Sequence, residues 1–366
     1  MSTFLKGIAY QPFPSPYNPT HANDTCIFFG SDIAYDPIAP LWDNKPYVST
    51  TGSSCTNPRD DLTTIKNMGC NLVRLYDWEP RNKHLRFLDR CVELGIKVLI
   101  PISNYFLSYG FGQRSDHIPN LIKSFSNAES SDYHAAIAGI IFGNEVDLPG
   151  NNAPLQNCID FTKDWVNIEN SQFSGYSMPI LGHPLSFAAG PSTLPCWQFW
   201  DSFLPELDNV QIRNLPARLF LAPQPYNDGD YLYVNCRSGK GYIDLTWDKY
   251  KKPILIPEMG YGRDKPNYQS VIKSQFEGGI QYAKRNPEKL LGECYFQFAD
   301  KVWMEGTSEG SFGVFSHSTN IRCTVTYGNG DFTHKDSGNC DGNTLQVDEL
   351  TQNPACNILT SAYSTA

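Results

Sequence analysis

The sequence predicts an α/β fold: a (β/α)8 barrel with a long loop after its first strand and an irregular, disulfide-stapled C-terminal tail. Three observations predict it. Short apolar runs recur along the chain, separated by helix-like or loop stretches and each followed by polar or aromatic residues, which is the rhythm of βαβ units. Eight such runs can be placed, the number that closes a barrel. No Gly-x-Gly-x-x-Gly follows the first run, where Lys6-Gly7-Ile8-Ala9 stands instead, and this disfavours the doubly wound sheet that would show the same alternation.

Taken in order, the first strand spans residues 5–11 and ends in Tyr10 and Gln11. Residues 12–54, rich in Pro, Asn and Tyr, read as a long loop over the barrel mouth. It holds the one plausible glycosylation sequon, Asn23-Asp24-Thr25. From Asp60 to Met68 a helix carries Leu62, Ile65 and Met68 on one face, and Gly69 stops it before the second strand, 71–76. The pattern repeats over 83–94, where Leu85, Leu88, Cys91 and Val92 recur at three and four. Gly95 ends that helix, and the third strand follows at 97–102. The remaining runs are 137–142, 178–182, 218–223, 253–257 and 292–298. Beyond 319, Gly328-Asn329-Gly330, Ser337-Gly338-Asn339 and three cysteines suggest a cross-linked tail rather than another βα unit. The expected division is a catalytic barrel over 1–319 and an extension over 320–366 packed on it, within reach of a 366-residue chain.

The composition excludes several classes of function. A net charge of −9 with no run of Lys or Arg disfavours nucleic acid and membrane surfaces as partners, and no apolar stretch is long enough for a transmembrane helix. No apolar leader precedes the first strand, so a secreted or cell-surface location implies that a leader has been removed. Eleven cysteines without tight Cys-x-x-Cys pairs fit disulfides in an oxidising compartment better than zinc sites. The odd count leaves one thiol over, and Cys70 and Cys294 lie in apolar contexts that suit buried thiols. Twenty Tyr, 21 Phe and 7 Trp leave rings to spare for sugar platforms.

Barrel active sites gather at the carboxyl ends of the strands. Those positions hold Tyr10, Gln11, Arg74, Tyr76, Ser103, Asn104, Asn144, Glu145, His183, Tyr226, Glu258 and the run 297–303, with Phe298 and Trp303. No His/Asp/Glu cluster of metal-site type appears, and neither metal nor cofactor is expected. A buried strand that ends in a carboxylate is costly unless the group is paired or used. Two such strands, ending Gly143-Asn144-Glu145-Val146 and Ile256-Pro257-Glu258-Met259, supply the two carboxyl groups a retaining glycosidase needs. Glu145 would be the general acid/base, its proton affinity raised by the charge on Glu258, the nucleophile. Asn144 would meet the sugar 2-hydroxyl, and Arg74 would supply positive charge to Glu258. Plainer readings stand beside these. Asn144-Glu145 could open a helix, Glu258 could pair with Arg263 or Lys265, Tyr76 and Tyr226 could be rim packing, and His183 a satisfied strand-end histidine.

These residues resemble the clan A glycoside hydrolases, and most closely glycoside hydrolase family 72, the fungal-type β-1,3-glucanosyltransferases. The resemblance spans roughly residues 6–258. It rests on Lys6-Gly7-Ile8-Ala9-Tyr10-Gln11-Pro12, Asp36-Pro37-Ile38-Ala39, Cys55 leading into Arg59-Asp60-Asp61-Leu62, Asn71-Leu72-Val73-Arg74-Leu75-Tyr76, and Gly143-Asn144-Glu145-Val146. It implies a Cys55–Cys91 disulfide, Gln11, Tyr76 and Asn144 as sugar contacts, and Tyr226 near the nucleophile. Two places depart from the family: Leu181-Gly182-His183-Pro184 replaces an acidic pair on strand five, and Tyr295 to Asp300 lacks the usual Glu on strand eight. The stretch from Trp303 to Phe315 is nearer to family 17 β-1,3-glucanases. The expectation is a monomeric, retaining β-glucan-active hydrolase or transglycosylase, acting on β-1,3-glucan by double displacement. Its expected substrate contacts are Tyr10, Gln11, Arg74, Tyr76, Asn104, Asn144, Tyr226, Phe298 and Trp303. The alternatives are a strict hydrolase of β-1,3-glucan or another β-glycan on the same barrel, and a non-catalytic glucan-binding wall protein.

Overall fold

A computed structural model describes residues 3–11, 47–48, 54–55, 59–78, 80, 84–127, 131–148, 154–188, 193–301, 304–326 and 344–364. Eight segments form the inner ring: β1 Leu5–Ala9, β2 Leu72–Arg74, β3 Lys97–Ile102, β4 Ile137–Phe142, β5 Ile180–Gly182, β6 Ala222–Pro223, β7 Ile254–Met259 and β8 Leu290–Tyr295. Seven of them make one parallel sheet in the order β7-β8-β1-β2-β3-β4-β5. The stretch around β6 joins its two edges. Leu219 bridges Leu181, Leu221 bridges Ile254, and Pro184–Leu185, just past β5, pairs with β6. The ring therefore closes through single bridges at β6 and not through a long sixth strand: Arg218, expected to open that strand, ends the helical turn Leu215–Arg218, and only Ala222–Pro223 pair as a strand.

The ring is packed on both faces, as all-parallel sheets require. Leu72, Leu99, Ile141, Phe220, Leu255 and Cys294 fill its interior. Two glycines make room there: a β-carbon on Gly182 would lie 2.5 Å from the Phe220 ring, and one on Gly7 2.3 Å from Cys294 Sγ. Outside lie α1 Asp61–Asn67, α2 Leu85–Leu94, α3 Phe111–Ser124, α4 Leu155–Gln172, α5 Trp197–Leu207, α6 Tyr242–Tyr250, α7 Tyr268–Arg285 and α8 Pro354–Ser364. The expected punctuation is present. Asp60 caps α1 by accepting from the Thr63 N–H, and Gly95 ends α2 in the left-handed conformation at φ 66°.

The tail differs from expectation. The division placed at 319/320 falls inside β9 Phe315–Thr326, which pairs antiparallel with β10 Thr344–Gln352. The chain then returns to the barrel as α8, with Ala355, Cys356, Leu359, Ala362 and Tyr363 buried. The Tyr363 hydroxyl donates to Gly7 O at 3.0 Å, Lys6 Nζ donates to Tyr363 O at 2.9 Å, and a β-carbon on Gly69 would sit 3.1 Å from Tyr363 Cβ. Helix α8 thus packs beside α7, β1 and the end of α1, in the place of an eighth outer helix.

The expected disulfide framework is not seen among the described residues. Cys70, Cys91, Cys196, Cys236, Cys294 and Cys356 carry free thiols, and all but Cys236 are buried. Cys91, expected to bond Cys55, packs in the helix–sheet core near Phe87 and Leu88, where a thiol serves as a small apolar group. Burial pushes that thiol up, which keeps it protonated and unreactive. Cys26, Cys340 and the side chains of Cys55 and Cys323 lie outside the described residues, as do Asn23 and most of the loop expected over the mouth. Of that loop, Tyr47–Val48 pairs antiparallel with Ser54–Cys55.

Candidate active site

Strand β7 is buried along its whole length. Pro257 has no N–H for a ladder, and the register with β8 slips between Ile256 and Met259, where it sits. Glu258 is delivered in that irregular stretch, 6% exposed, at the carboxyl end of the strand. Three neutral donors converge on it. The Tyr76 hydroxyl reaches Oε2 at 2.5 Å, Gln224 Nε2 reaches Oε2 at 3.0 Å, and the Tyr226 hydroxyl bonds Oε1. Arg74 Nη1 lies 3.9 Å from Oε2, and its guanidinium carbon sits 3.3 Å from the centre of the Tyr76 ring. Burial first, and then the charge of Glu258, raise the Tyr226 hydroxyl well above its ordinary range. Tyr76 is raised by burial too, against the pull of Arg74. Both phenols are therefore held as donors to an acceptor-only carboxylate.

The second carboxylate follows β4 in a tight turn. Gly143 has φ 75°, and a β-carbon there would meet Asn104 Oδ1 and Val146 Cγ1 at 2.4 Å, so only glycine fits. Glu145 itself has φ 46°, a left-handed conformation that costs a non-glycine residue about 1–2 kcal/mol and that persists where the surroundings over-determine it. Those surroundings are identifiable. Asn104 Oδ1 accepts from the Asn144 N–H at 2.8 Å while its Nδ2 donates to Asn144 O at 3.0 Å. Asp147 accepts from the Ser186 N–H at 2.7 Å, tying the turn to the loop after β5. Burial raises the Glu145 carboxyl to about 7, helped by the negative charge of Glu258, Glu309 and Asp147 and opposed by Arg74. The two carboxyl groups thus feel one another and sit in opposite surroundings.

Several expected residues meet at this point. Asn144 Oδ1 accepts from Arg74 Nη2 at 2.6 Å and from Gln224 Nε2 at 2.9 Å, so Arg74, Tyr76, Asn144, Tyr226 and Glu258 form one network. Others lie elsewhere. Tyr10 and Phe298, expected at the sugar, are 0% and 1% exposed and pack edge to face, 5.5 Å apart, in the core. The Tyr10 hydroxyl donates to Asp61. Asn104, also expected at the sugar, spends its amide on the backbone of Asn144. Gln11 is half-buried at the mouth, and Trp303 lies outside the described residues. The plainer readings of the carboxylates are overturned. Helix α4 begins ten residues after Glu145 at Leu155, Arg263 pairs with Asp300 at 2.8 Å, and Lys265 with Asp264 at 3.2 Å. His183 is a buried core histidine: it packs against Phe142 and Phe203, its Nε2 lies 2.9 Å from Thr162 Oγ1 while Nδ1 is buried with no side-chain hydrogen-bond partner among the described residues, and burial lowers it to about 3.

Gln224 was not among the expected site residues. A signal for it exists in Pro223-Gln224-Pro225, two residues before Tyr226 at the end of a strand. Beside the network, Lys301 holds its ammonium 4.8 Å from the Phe296 ring and 3.3 Å from Glu309, and it also lines a cavity of about 490 Å³ with Arg263, Asp264, Asp300 and His317.

No family model matches the chain. It is 24% identical over 309 residues to the 1,3-beta-glucanosyltransferase PGA5 of Candida albicans, an alignment covering 76% of this chain and 41% of that protein. Among solved structures it is similar to Saccharomyces cerevisiae Gas2p, as a Glu-to-Gln variant in complex with laminaritetraose and laminaripentaose: TM-score 0.56, 16% identity, 99% of this chain and 64% of that one. Gas2p in complex with laminaritriose and laminaritetraose gives a TM-score of 0.58 at 16% identity, with the same coverage of both chains. The likeness to these structures is one of fold. The chain spans about two fifths of the curated relative's length and just under two thirds of the Gas2p chains. The motifs resemble those of family 72, and a relative named as a 1,3-beta-glucanosyltransferase matches the chain at low identity.

Proposed function

We propose that the chain is a retaining β-1,3-glucan-active enzyme that cuts and transfers glucan by double displacement. One observation carries this: two carboxyl groups at one barrel mouth, Glu145 raised to about 7 and Glu258 gripped by three donors beside a guanidinium. Glu145, protonated, gives its proton to the glycosidic oxygen as that bond breaks. Glu258 attacks the anomeric carbon from the opposite face and forms a glycosyl ester. Glu145, now ionised, takes a proton from the hydroxyl of a second glucan chain or from water, and the new oxygen displaces Glu258. Asn144, Tyr76, Tyr226, Gln11 and Trp303 are the proposed sugar contacts, while Tyr10, Arg74, Asn104 and Phe298 support them from behind.

The choice of β-1,3-glucan is supported by the name of the curated relative and by the laminari-oligosaccharides bound in the structurally similar Gas2p. A polymer of that kind is met outside the cell, so a secreted or cell-surface location goes with the reading. Incubation with reduced laminari-oligosaccharides tests it. Products longer than the substrate are expected. Shorter products alone would make the chain a hydrolase, and no change in any β-1,3-glucan would sink the proposal.

A further inference from the structure

We propose that Gln224 is a positioning residue for this reaction, locking the Asn144 amide as a donor to the reacting sugar while it holds one oxygen of Glu258. The inference rests on the retaining-enzyme reading above. Gln224 is 0% exposed. Pro223 and Pro225 flank it, and a residue before proline is confined to extended backbone. Its N–H donates to Leu185 O at 3.0 Å, pinning it to the segment after β5. From that fixed backbone a single NH2 group serves two acceptors, Asn144 Oδ1 at 2.9 Å and Glu258 Oε2 at 3.0 Å.

The consequence lies in what Asn144 is left able to do. Its Oδ1 takes hydrogens from Gln224 and from Arg74 at once, and a guanidinium has no acceptor capacity. Turning the Asn144 amide over would aim N–H groups at N–H groups, so its orientation is set by chemistry. Turning Gln224 over would aim its carbonyl at Asn144 Oδ1 and at a carboxylate. Asn144 therefore presents Nδ2, a donor, and can give a hydrogen to a sugar hydroxyl but cannot take one. Gln224 Oε1 is buried with no hydrogen-bond partner among the described residues. A buried acceptor left without a hydrogen costs stability, which the two bonds from Nε2 offset.

The test uses the whole chain, two variants and two substrates. Gln224→Met keeps the volume and removes both donors, and Gln224→Glu keeps the shape with acceptors in their place. Each is assayed on an aryl β-laminaribioside and on its 2-deoxy counterpart at the reacting ring. On the normal substrate kcat is expected to fall about a hundred-fold with KM nearly unchanged, the effect of a displaced reacting group. On the 2-deoxy substrate, where the hydroxyl proposed to meet Asn144 is gone, the loss is expected to be clearly smaller. Either variant reads out the same comparison, so misfolding of one leaves the other. Equal losses on both substrates, or a wild-type kcat, would overturn the role of Gln224. A wild-type chain inactive on laminaribiosides would instead sink the functional reading beneath it.

Discussion

At the scale of single residues the carboxyl pair has a sign-definite pH signature. In the proposed reaction Glu145 works as an acid while protonated, and its carboxyl is raised to about 7. Its protonated fraction falls as pH rises through that value, so kcat/KM is expected to fall on the alkaline side with an inflection near 7. Glu145→Gln should erase that limb and slow glucosides with poor leaving groups by roughly 10²–10⁴-fold, a pattern read from pH profiles of the two proteins. Removing one hydroxyl from Glu258 with Tyr226→Phe should weaken the transition state by about 1.5–3 kcal/mol, the worth of a hydrogen bond to a charged group, measured as kcat/KM. An unchanged value would separate Tyr226 from the reaction. Glu145 and Glu258 were legible in sequence because each ends a continuous apolar run, where a carboxylate stands out. Gln224 was not, because its role arises where the ends of β2, β4, β6 and β7 meet. Tyr10 and Phe298 were misplaced for the opposite reason: a strand-end position does not say whether an aromatic ring turns toward the mouth or into the core.

At the scale of elements, glycines mark where the helices and strands press closest. Gly279 lies inside α7, where alanine would ordinarily be preferred by about 1 kcal/mol. A β-carbon there would come within 2.1 Å of Glu293 Oε2, on a carboxyl that is fully buried and accepts from Tyr233 at 3.0 Å. Burial pushes Glu293 well above the ordinary carboxylate range, against the bond it accepts from Tyr233. Gly279→Ala is expected to destabilise by about 1–3 kcal/mol through overpacking, against its helix propensity. A raised melting temperature would contradict that close approach. Strands with long apolar runs, such as β3 and β4, could be placed to the residue, since burial on both faces leaves no polar interruptions. The sixth could not, because it holds the ring through two bridges and two paired residues, too little sequence to show a period.

The whole molecule is closed by its tail. Glycines, asparagines and Cys340 over 327–343 disguise the fact that the chain afterwards forms α8 against β1 and α7. The return is also tied electrostatically. His317 and Arg59 both meet the buried Asp348 of β10, Arg59 pairs with Asp61, and Asp61 accepts from Tyr10, linking the ribbon to the first strand. Deleting residues 354–366 should therefore abolish cooperative unfolding of the barrel, followed by circular dichroism on heating. A truncated chain that melts like the full one would make the tail a mere appendage. The central claim is that Glu258 bonds covalently to the sugar, and trapping tests it most directly. After treatment with a 2-deoxy-2-fluoro-β-laminaribiosyl fluoride, peptide mass spectrometry should find the fluoroglycosyl group on Glu258, with turnover lost in step. A label on another residue, or continued turnover of β-1,3-glucan by Glu258→Ala, would contradict it.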